Sequence, residues 1–331
     1  MDFERTTDEA TFHSPLADFE EVTETVEVRR DPLTGRTARI ADAAFTVAED
    51  PDIEAVVSDD EGCFFCPDMV GDATPTYADD LEVDRGGRGE ATSFPNLNPY
   101  GAHSNVVALT ETHFQPMEAF TPEQFADGLA LALEYIDRVR ETDPDAGVAS
   151  VNMNFLRSAG SSLVHPHLQT LVDGHGTNEG RRLLEASRQY YEEHGSRYWD
   201  DLVAAERGGD RWVGETAGVH WLVPFAPRHH RQVLGVLDGT GLPDPDGDAV
   251  RGLAGGLTNV LGAYADEGLN AFNFALHLPD DPAMGPVFTV IARSVFDEYY
   301  WSDSPYFTVL HDEGVVDTAP EAYAADVRDR F

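Results

Sequence analysis

The run Gly160-Ser161-Ser162-Leu163-Val164-His165-Pro166-His167-Leu168-Gln169 sets two histidines and a glutamine at alternate positions inside an apolar stretch, Leu163 to Val172. Read as a strand, that alternation puts His165, His167 and Gln169 on one face. Three polar side chains on an otherwise buried strand are costly to desolvate unless a metal, a phosphate or hydrogen bonds meet them. The small residues Gly160 to Ser162 let a loop backbone approach a ligand closely. This stretch is the candidate site around which the chain is organised.

Outward from it, Val148 to Phe155 reads as a second strand, and Thr92 to Leu97 and Asn105 to Thr110 as two more, joined by the turn Asn98-Pro99-Tyr100-Gly101. Between the pairs a helix opens at Thr121-Pro122-Glu123, with threonine as N-cap and proline first, and runs to about Arg140. Its apolar face is Phe125, Leu129, Leu133, Ile136 and Val139. Asn178 to Arg207 reads as one long helix. The order then repeats: strands at Val219 to Phe225 and Gln232 to Leu237, a helix at Asp248 to Asp266, strands at Phe272 to Leu278 and Val287 to Val295. Strand-strand-helix-strand-strand twice, about 120 residues apart, predicts an α+β protein built from two copies of one unit. Upstream, residues 1 to 20 read as a polar arm, and Val22 to Val28 with Arg36 to Val47 as a hairpin around Asp31-Pro32-Leu33-Thr34-Gly35. The acidic stretches 48 to 62 and 68 to 90 read as surface loops, and Pro320 to Arg330 as a closing helix. The expected divisions are an arm (1–20), an N-terminal half (21–208) and a C-terminal half (209–331).

The net charge of −39 comes with 22 basic residues, all arginine; there is no lysine. The acids are spread along the chain rather than massed in a tail, a pattern suited to high salt. So acidic a surface repels phosphate backbones, which excludes nucleic acid as the expected partner. No segment is long or apolar enough to span a membrane, and Met1 to Asp18 lacks a basic start and an apolar core. The expectation is a halophilic, cytoplasmic protein.

The two cysteines form Cys63-Phe64-Phe65-Cys66. In a cytoplasmic chain the pair reads as half of a metal site, a redox dithiol or two small buried hydrophobes. Thiolates with imidazoles suit Zn²⁺, and His103, His113 and His165 are the candidates for the other corners. His167 is the candidate nucleophile, because a neutral imidazole nitrogen can attack phosphorus if its other nitrogen is held by a hydrogen bond. Gln169 can donate its amide to a phosphate oxygen.

The run Asn154…Gly160-Ser161-Ser162…His165-Pro166-His167-Leu168-Gln169 resembles the active-site motif of the galactose-1-phosphate uridylyltransferase family, a branch of the histidine-triad superfamily. The family's Gly-x-Ser-x-x-His-Pro-His-x-Gln pattern is matched at every specified position. Arg29-Arg30-Asp31-Pro32-Leu33-Thr34-Gly35 resembles its opening hairpin, Cys63 to Pro67 its zinc pair, Phe94-Pro95-Asn96-Leu97 its nucleotide-contacting strand, and Val106 to His113 the strand ending in its third zinc ligand. Asn178-Glu179 matches just after the motif. The resemblance covers most of residues 25 to 180 and, more loosely, the rest.

It implies two tandem histidine-triad-like halves, each a mostly antiparallel sheet with helices packed on it. It implies one structural Zn²⁺ on Cys63, Cys66, His113 and His165, and catalysis by His167 and Gln169. Asn154, Gly160, Ser161, Ser162 and Asn96 would bind substrate and phosphate. The implied reaction is ping-pong nucleotidyl transfer through His167, between a nucleotide sugar and a sugar 1-phosphate, in galactose or other carbohydrate metabolism. A phosphorylase using inorganic phosphate and a non-catalytic nucleotide-binding relative are the alternatives. Glutamine at 169, where the superfamily's hydrolases carry a third histidine, favours transfer or phosphorolysis. A homodimer is compatible with the resemblance.

The C-terminal half departs from the family's pattern. The family's second, iron-type site uses a glutamate, a lone histidine and a later His-x-His. Here His277 matches the lone histidine, Leu183 falls at the glutamate, and Gly285 to Arg293 contains no histidine, so that site is expected to be absent. The family's sugar-phosphate lysine is also missing, and Arg293 or another arginine is the candidate to replace its charge. His229-His230 reads as a solvated basic turn, and Tyr299, Tyr300, Trp301 and Tyr306 as packing or contact aromatics.

Overall fold

A computed structural model describes residues 1–41, 52–58, 62–81, 85–293 and 306–331. Its strands, in chain order, are β1 (Arg5–Ser14), β2 (Glu20–Arg30), β3 (Thr37–Ile40), β4 (Gly87–Arg88), β5 (Ala91–Pro95), β6 (His103–Ala108), β7 (Val148–Phe155), β8 (His167–Asp173), β9 (Trp212–Thr216), β10 (Val219–Leu222), β11 (Val233–Leu237), β12 (Ala271–Pro279), β13 (Val287–Arg293) and β14 (Gly314–Val316). The helices are α1 (Ile53–Val57), α2 (Val70–Ala73), α3 (Pro122–Thr142), α4 (Asn178–His194), α5 (Tyr198–Glu206), α6 (Asp248–Asp266), α7 (Tyr306–His311) and α8 (Pro320–Arg328).

The central sheet runs β4-β5-β6-β8-β7-β12-β13-β11-β10-β9. Its two halves have the same internal order, β5-β6-β8-β7 and β10-β11-β13-β12, and meet where β7 pairs antiparallel with β12. The repeated unit expected from the sequence is therefore present, and the two copies share one continuous sheet. No linker parts them because the seam is a full strand pairing, Phe272 opposite Phe155 through Pro279 opposite Val148.

One face of this sheet is covered by α3 and α6. Phe125, Leu129, Leu133, Ile136 and Val139 of α3 are all at most 1% exposed, as their spacing predicts. Burying each is worth about 1.5–3 kcal/mol. A capping box starts the helix: Thr121 Oγ1 accepts from Gln124 N, and Gln124 Oε1 accepts from Thr121 N. Gly128 lets α3 lie close to the sheet, since a Cβ there would stand 2.2 Å from Leu109 Cδ2.

Among the described residues, the opposite face is covered only in parts. Over the C-terminal half, α4 and α5 bury Leu183, Leu184, Trp199 and Leu202 against Leu222, Val236 and Val287. Over the N-terminal edge, Phe65 and Val70 pack on Phe94, Val106 and Ala108. Between these covers lie the residues of β8 and β7 that face away from α3, including His167, Gln169, Asn152 and Asn154.

Several expectations need correction. The polar arm holds β1, which pairs along its whole length with β2, Arg5 opposite Arg29 through Ser14 opposite Glu20. Its residues are nearly all exposed, so the strand is held by backbone pairing rather than by apolar burial, and alternation could not announce it. The single helix expected from 178 to 207 is two helices, α4 ending at Gly195 in the left-handed conformation (φ 72). The strand expected from Leu163 begins at His167, after Pro166, which has no N–H to give a ladder. Parts of the expected 36–47 strand, the acidic stretches and Tyr299, Tyr300 and Trp301 lie outside the described residues.

Candidate active site and metal centre

Cys63 and Cys66 form a tight turn, with Cys66 N donating to Cys63 O and Val70 N donating to Cys66 O as the chain enters α2. Cys63 Sγ lies 3.7 Å from His165 Nδ1, and Cys66 Sγ lies 3.6 Å from His113 Nδ1 and 3.7 Å from His165 Nδ1. All four donor atoms fall within 4.8 Å of one another. Tetrahedral coordination at about 2.0–2.3 Å spaces neighbouring donors about 3.5 Å apart, so the set fits a metal ion such as zinc. His165 Nε2 donates to Thr110 O at 2.8 Å, which leaves Nδ1 with its lone pair toward the cluster. Burial, partly opposed by that hydrogen bond, pushes His165 down to about 4, so its ring is neutral. His103 takes no part: its Nε2 meets Asp143 Oδ2 at 3.0 Å.

His167 opens β8, opposite Ala108 of β6. Its Nδ1 donates to His165 O at 2.8 Å, fixing the tautomer in which Nε2 carries the lone pair. Burial lowers its pKa, with the carbonyl contact opposing, and keeps the ring neutral. Gln169 Nε2 lies 3.5 Å from His167 Nε2. The ring of Phe65 meets His167 edge-on, with centroids 5.2 Å apart. In sequence Cys-Phe-Phe-Cys offers its sulfurs alone; in the structure the same turn also sets an aromatic wall beside the candidate nucleophile.

The loop 156–162 approaches the same region. Leu156 is 1% exposed and holds φ 68, ψ 168, a region nearly reserved for glycine. Ser161 N and Ala159 N both donate to Leu156 O, and Gly160 has φ 88. Ser161 is buried and its Oγ donates to Leu163 O, whereas Gly160 and Ser162 are exposed. Asn154, at the end of β7, is exposed and bonded to Asn273 of β12. Asn96 is not brought into this cluster. It follows β5 by four residues from Thr92, the residue opposite Ala108, which puts it about 13 Å along the strand direction. Its Oδ1 accepts from Asn98 N in the turn.

No protein-family model matches the chain. An uncharacterized protein of Archaeoglobus fulgidus is 33% identical over 308 residues, 92% of each chain, so the two belong to one family. An ADP-glucose phosphorylase from Arabidopsis thaliana, solved with bound ADP-glucose, superposes with a TM-score of 0.71 at 17% identity, over 92% of this chain and 99% of that one. A uridylyltransferase gives 0.66 at 20% identity, over 92% and 97%. The fold is that of the galactose-1-phosphate uridylyltransferases.

Among the described residues, the Cys63/Cys66/His113/His165 cluster is the one group of three or more metal-type donors close enough to share an ion. His277 and Leu183 instead line a cavity of about 230 Å³, with Trp199, Thr289 and Ile291. Glu179, beside Leu183's turn of α4, is held bidentately by Arg36 at 2.8 Å. In the basic turn, Arg228 pairs with Asp312 and His230 with Asp317. Arg293, singled out for its charge, donates to Asn273 Oδ1 at 2.7 Å.

Proposed function

We propose that this protein is a nucleotidyltransferase that moves a nucleotidyl group between a nucleotide sugar and a sugar 1-phosphate through a covalent adduct on His167. The observation that carries this reading is the His167 ring itself. Nδ1 is committed to the His165 carbonyl, and Nε2 stands beside Gln169 on the side of the sheet away from α3.

In the first half-reaction the Nε2 lone pair attacks the α-phosphorus of the nucleotide sugar. A P–N bond forms as the P–O bond to the sugar 1-phosphate breaks, and the leaving phosphate oxygen takes the electron pair. The Nδ1–H···O=C bond stabilises the positive charge that the ring gains. Gln169 Nε2–H, with Asn154 and the Ser162 hydroxyl, would meet the phosphate oxygens, while the Ser161 Oγ–H and the Gly160 N–H, already donated to Leu163 O and Arg157 O, shape the loop. In the second half-reaction an acceptor phosphate oxygen attacks the same phosphorus, and the P–N electrons return to Nε2. The nucleoside is proposed to extend along β5 toward Asn96. Zn²⁺ on Cys63, Cys66, His113 and His165 would cross-link the 63–66 turn to the catalytic strand. That cross-link would keep Phe65 against His167 and hold the His165 carbonyl in place.

Two features favour a second acceptor. The chain has no lysine for a sugar phosphate, and a structural neighbour is an ADP-glucose phosphorylase, so inorganic phosphate is the alternative acceptor. The lysine-free, acid-rich composition supports a high-salt cytoplasm as the setting. The test is incubation in high salt with UDP-glucose and ADP-glucose labelled at the α-phosphate. Acid-labile label on wild type and none on His167→Gly is expected. Label that persists in His167→Gly, or fails with both donors, refutes the mechanism. Release of the label by glucose 1-phosphate or by inorganic phosphate identifies the acceptor.

A further inference from the structure

We propose that Asn273, on the C-terminal half, is a positioning residue that orients Asn154 and pins the 156–162 loop at the phosphate end of the site. The inference rests on the proposed phosphate site above. β12 lies beside β7 with Asn273 directly opposite Asn154. Asn273 Nδ2 donates to Asn154 Oδ1 at 2.6 Å and to Ala159 O at 2.7 Å, while its Oδ1 accepts from Arg293 Nη1 at 2.7 Å.

The chemistry of these partners leaves one orientation for each amide. A guanidinium only donates and a backbone carbonyl only accepts, so the Asn273 oxygen faces Arg293 and its NH₂ faces Ala159. That NH₂ then holds the Asn154 oxygen, and Asn154 presents its own NH₂ to the exposed face. Phosphate oxygens only accept, so this is the end of Asn154 that a phosphate needs. Released from Asn273, the Asn154 amide can flip and set its oxygen against the anion.

The second bond acts on the loop. Leu156 occupies a backbone region that is strained for a non-glycine residue, and such a conformation persists only where neighbours over-determine it. The Asn273 bond to Ala159 O is one of those constraints, placed one residue before Gly160-Ser161-Ser162. The C-terminal half, which lacks the histidines of the N-terminal motif, thus supplies the clamp rather than the chemistry.

The test uses the full chain and two readouts. Affinity for AMP and UMP is measured by calorimetry, and the rate of His167 labelling with the α-labelled sugars. Asn273→Asp keeps the volume and the Arg293 contact but has no N–H to give; Asn273→Ala removes both ends. Each is expected to weaken nucleotide binding and slow labelling about tenfold or more, with melting temperature within a few degrees of wild type. In an Asn154→Ala background the further loss on changing Asn273 is expected to shrink to threefold or less, because the main route of action has gone. Should Asn273→Ala fail to fold, Asn273→Asp carries the comparison. Wild-type binding and labelling in Asn273→Asp, or equal losses with and without Asn154, overturns the proposal. The calorimetric arm decides it even if His167 never takes label, so the two readings fail separately.

Discussion

Glu321, at the start of α8, ties the C-terminus to β2 and β9's approach through two arginines. Arg29, 3% exposed, grips it bidentately with both bonds at 2.9 Å, and Arg211 adds a third at 2.8 Å. Arg211 also lies over the rings of Phe3 and Phe225 at 4.5 and 4.9 Å. Burial alone would raise the Glu321 carboxyl, but the hydrogen bonds from Arg29 and Arg211 outweigh it and bring the pKa from 4.5 to about 2. At 1.36 kcal/mol per pKa unit, that depression corresponds to about 3 kcal/mol. Breaking a buried pair by removing one partner typically costs about 3–5 kcal/mol, in agreement. A depressed carboxyl stabilises fully above its unfolded pKa, and the contribution fades as pH falls from about 4.5 to about 2. Glu321→Gln is therefore expected to lose about 3 kcal/mol at pH 7. With an unfolding entropy of roughly 2.1 cal/mol/K per residue, this lowers the melting temperature by about 4 °C. The assay is thermal and urea unfolding of both proteins from pH 7 to pH 2.5. A difference below about 1 kcal/mol at pH 7, or one that stays constant down to pH 2.5, would refute the reasoning.

Two further outcomes follow from the same structure. Native mass spectrometry is expected to find one metal ion per chain, lost in Cys63→Ser and His113→Ala together with several degrees of melting temperature; metal-free wild type with unchanged melting would remove the site. Melting temperature is expected to rise between 0.1 and 2 M KCl, because screening relieves the self-repulsion of −39 charges, and a flat profile would count against a halophilic surface.

Local pattern carried much of the fold. Apolar spacing located α3 and α6 to within two residues, since a helix that buries Phe125, Leu129 and Leu133 must repeat every three to four positions. β7 was legible to the residue because both its faces are constrained, one by core packing and one by polar partners. β1 was not legible, since its exposed side chains leave no alternation and its stability lies in backbone pairing with β2. The break at Gly195 was written in one glycine inside a helical pattern, a weak signal until the left-handed cap is seen.

The same division holds at Gly160 to Gln169. By itself, the sequence determined the donor types, two thiols and the motif's imidazoles, because side-chain chemistry does not depend on where the chain goes. It also determined that there are two repeated units, because apolar periodicity is local. Only the tertiary structure shows which imidazoles stand beside the thiols. His103 is drawn to Asp143, while His113 and His165 converge on the cysteines from positions 47 and 99 residues away from Cys66. Only the seam between β7 and β12 brings Asn273 to Asn154 across 119 residues. Convergence over such distances is set by sheet order and register, which no local pattern encodes.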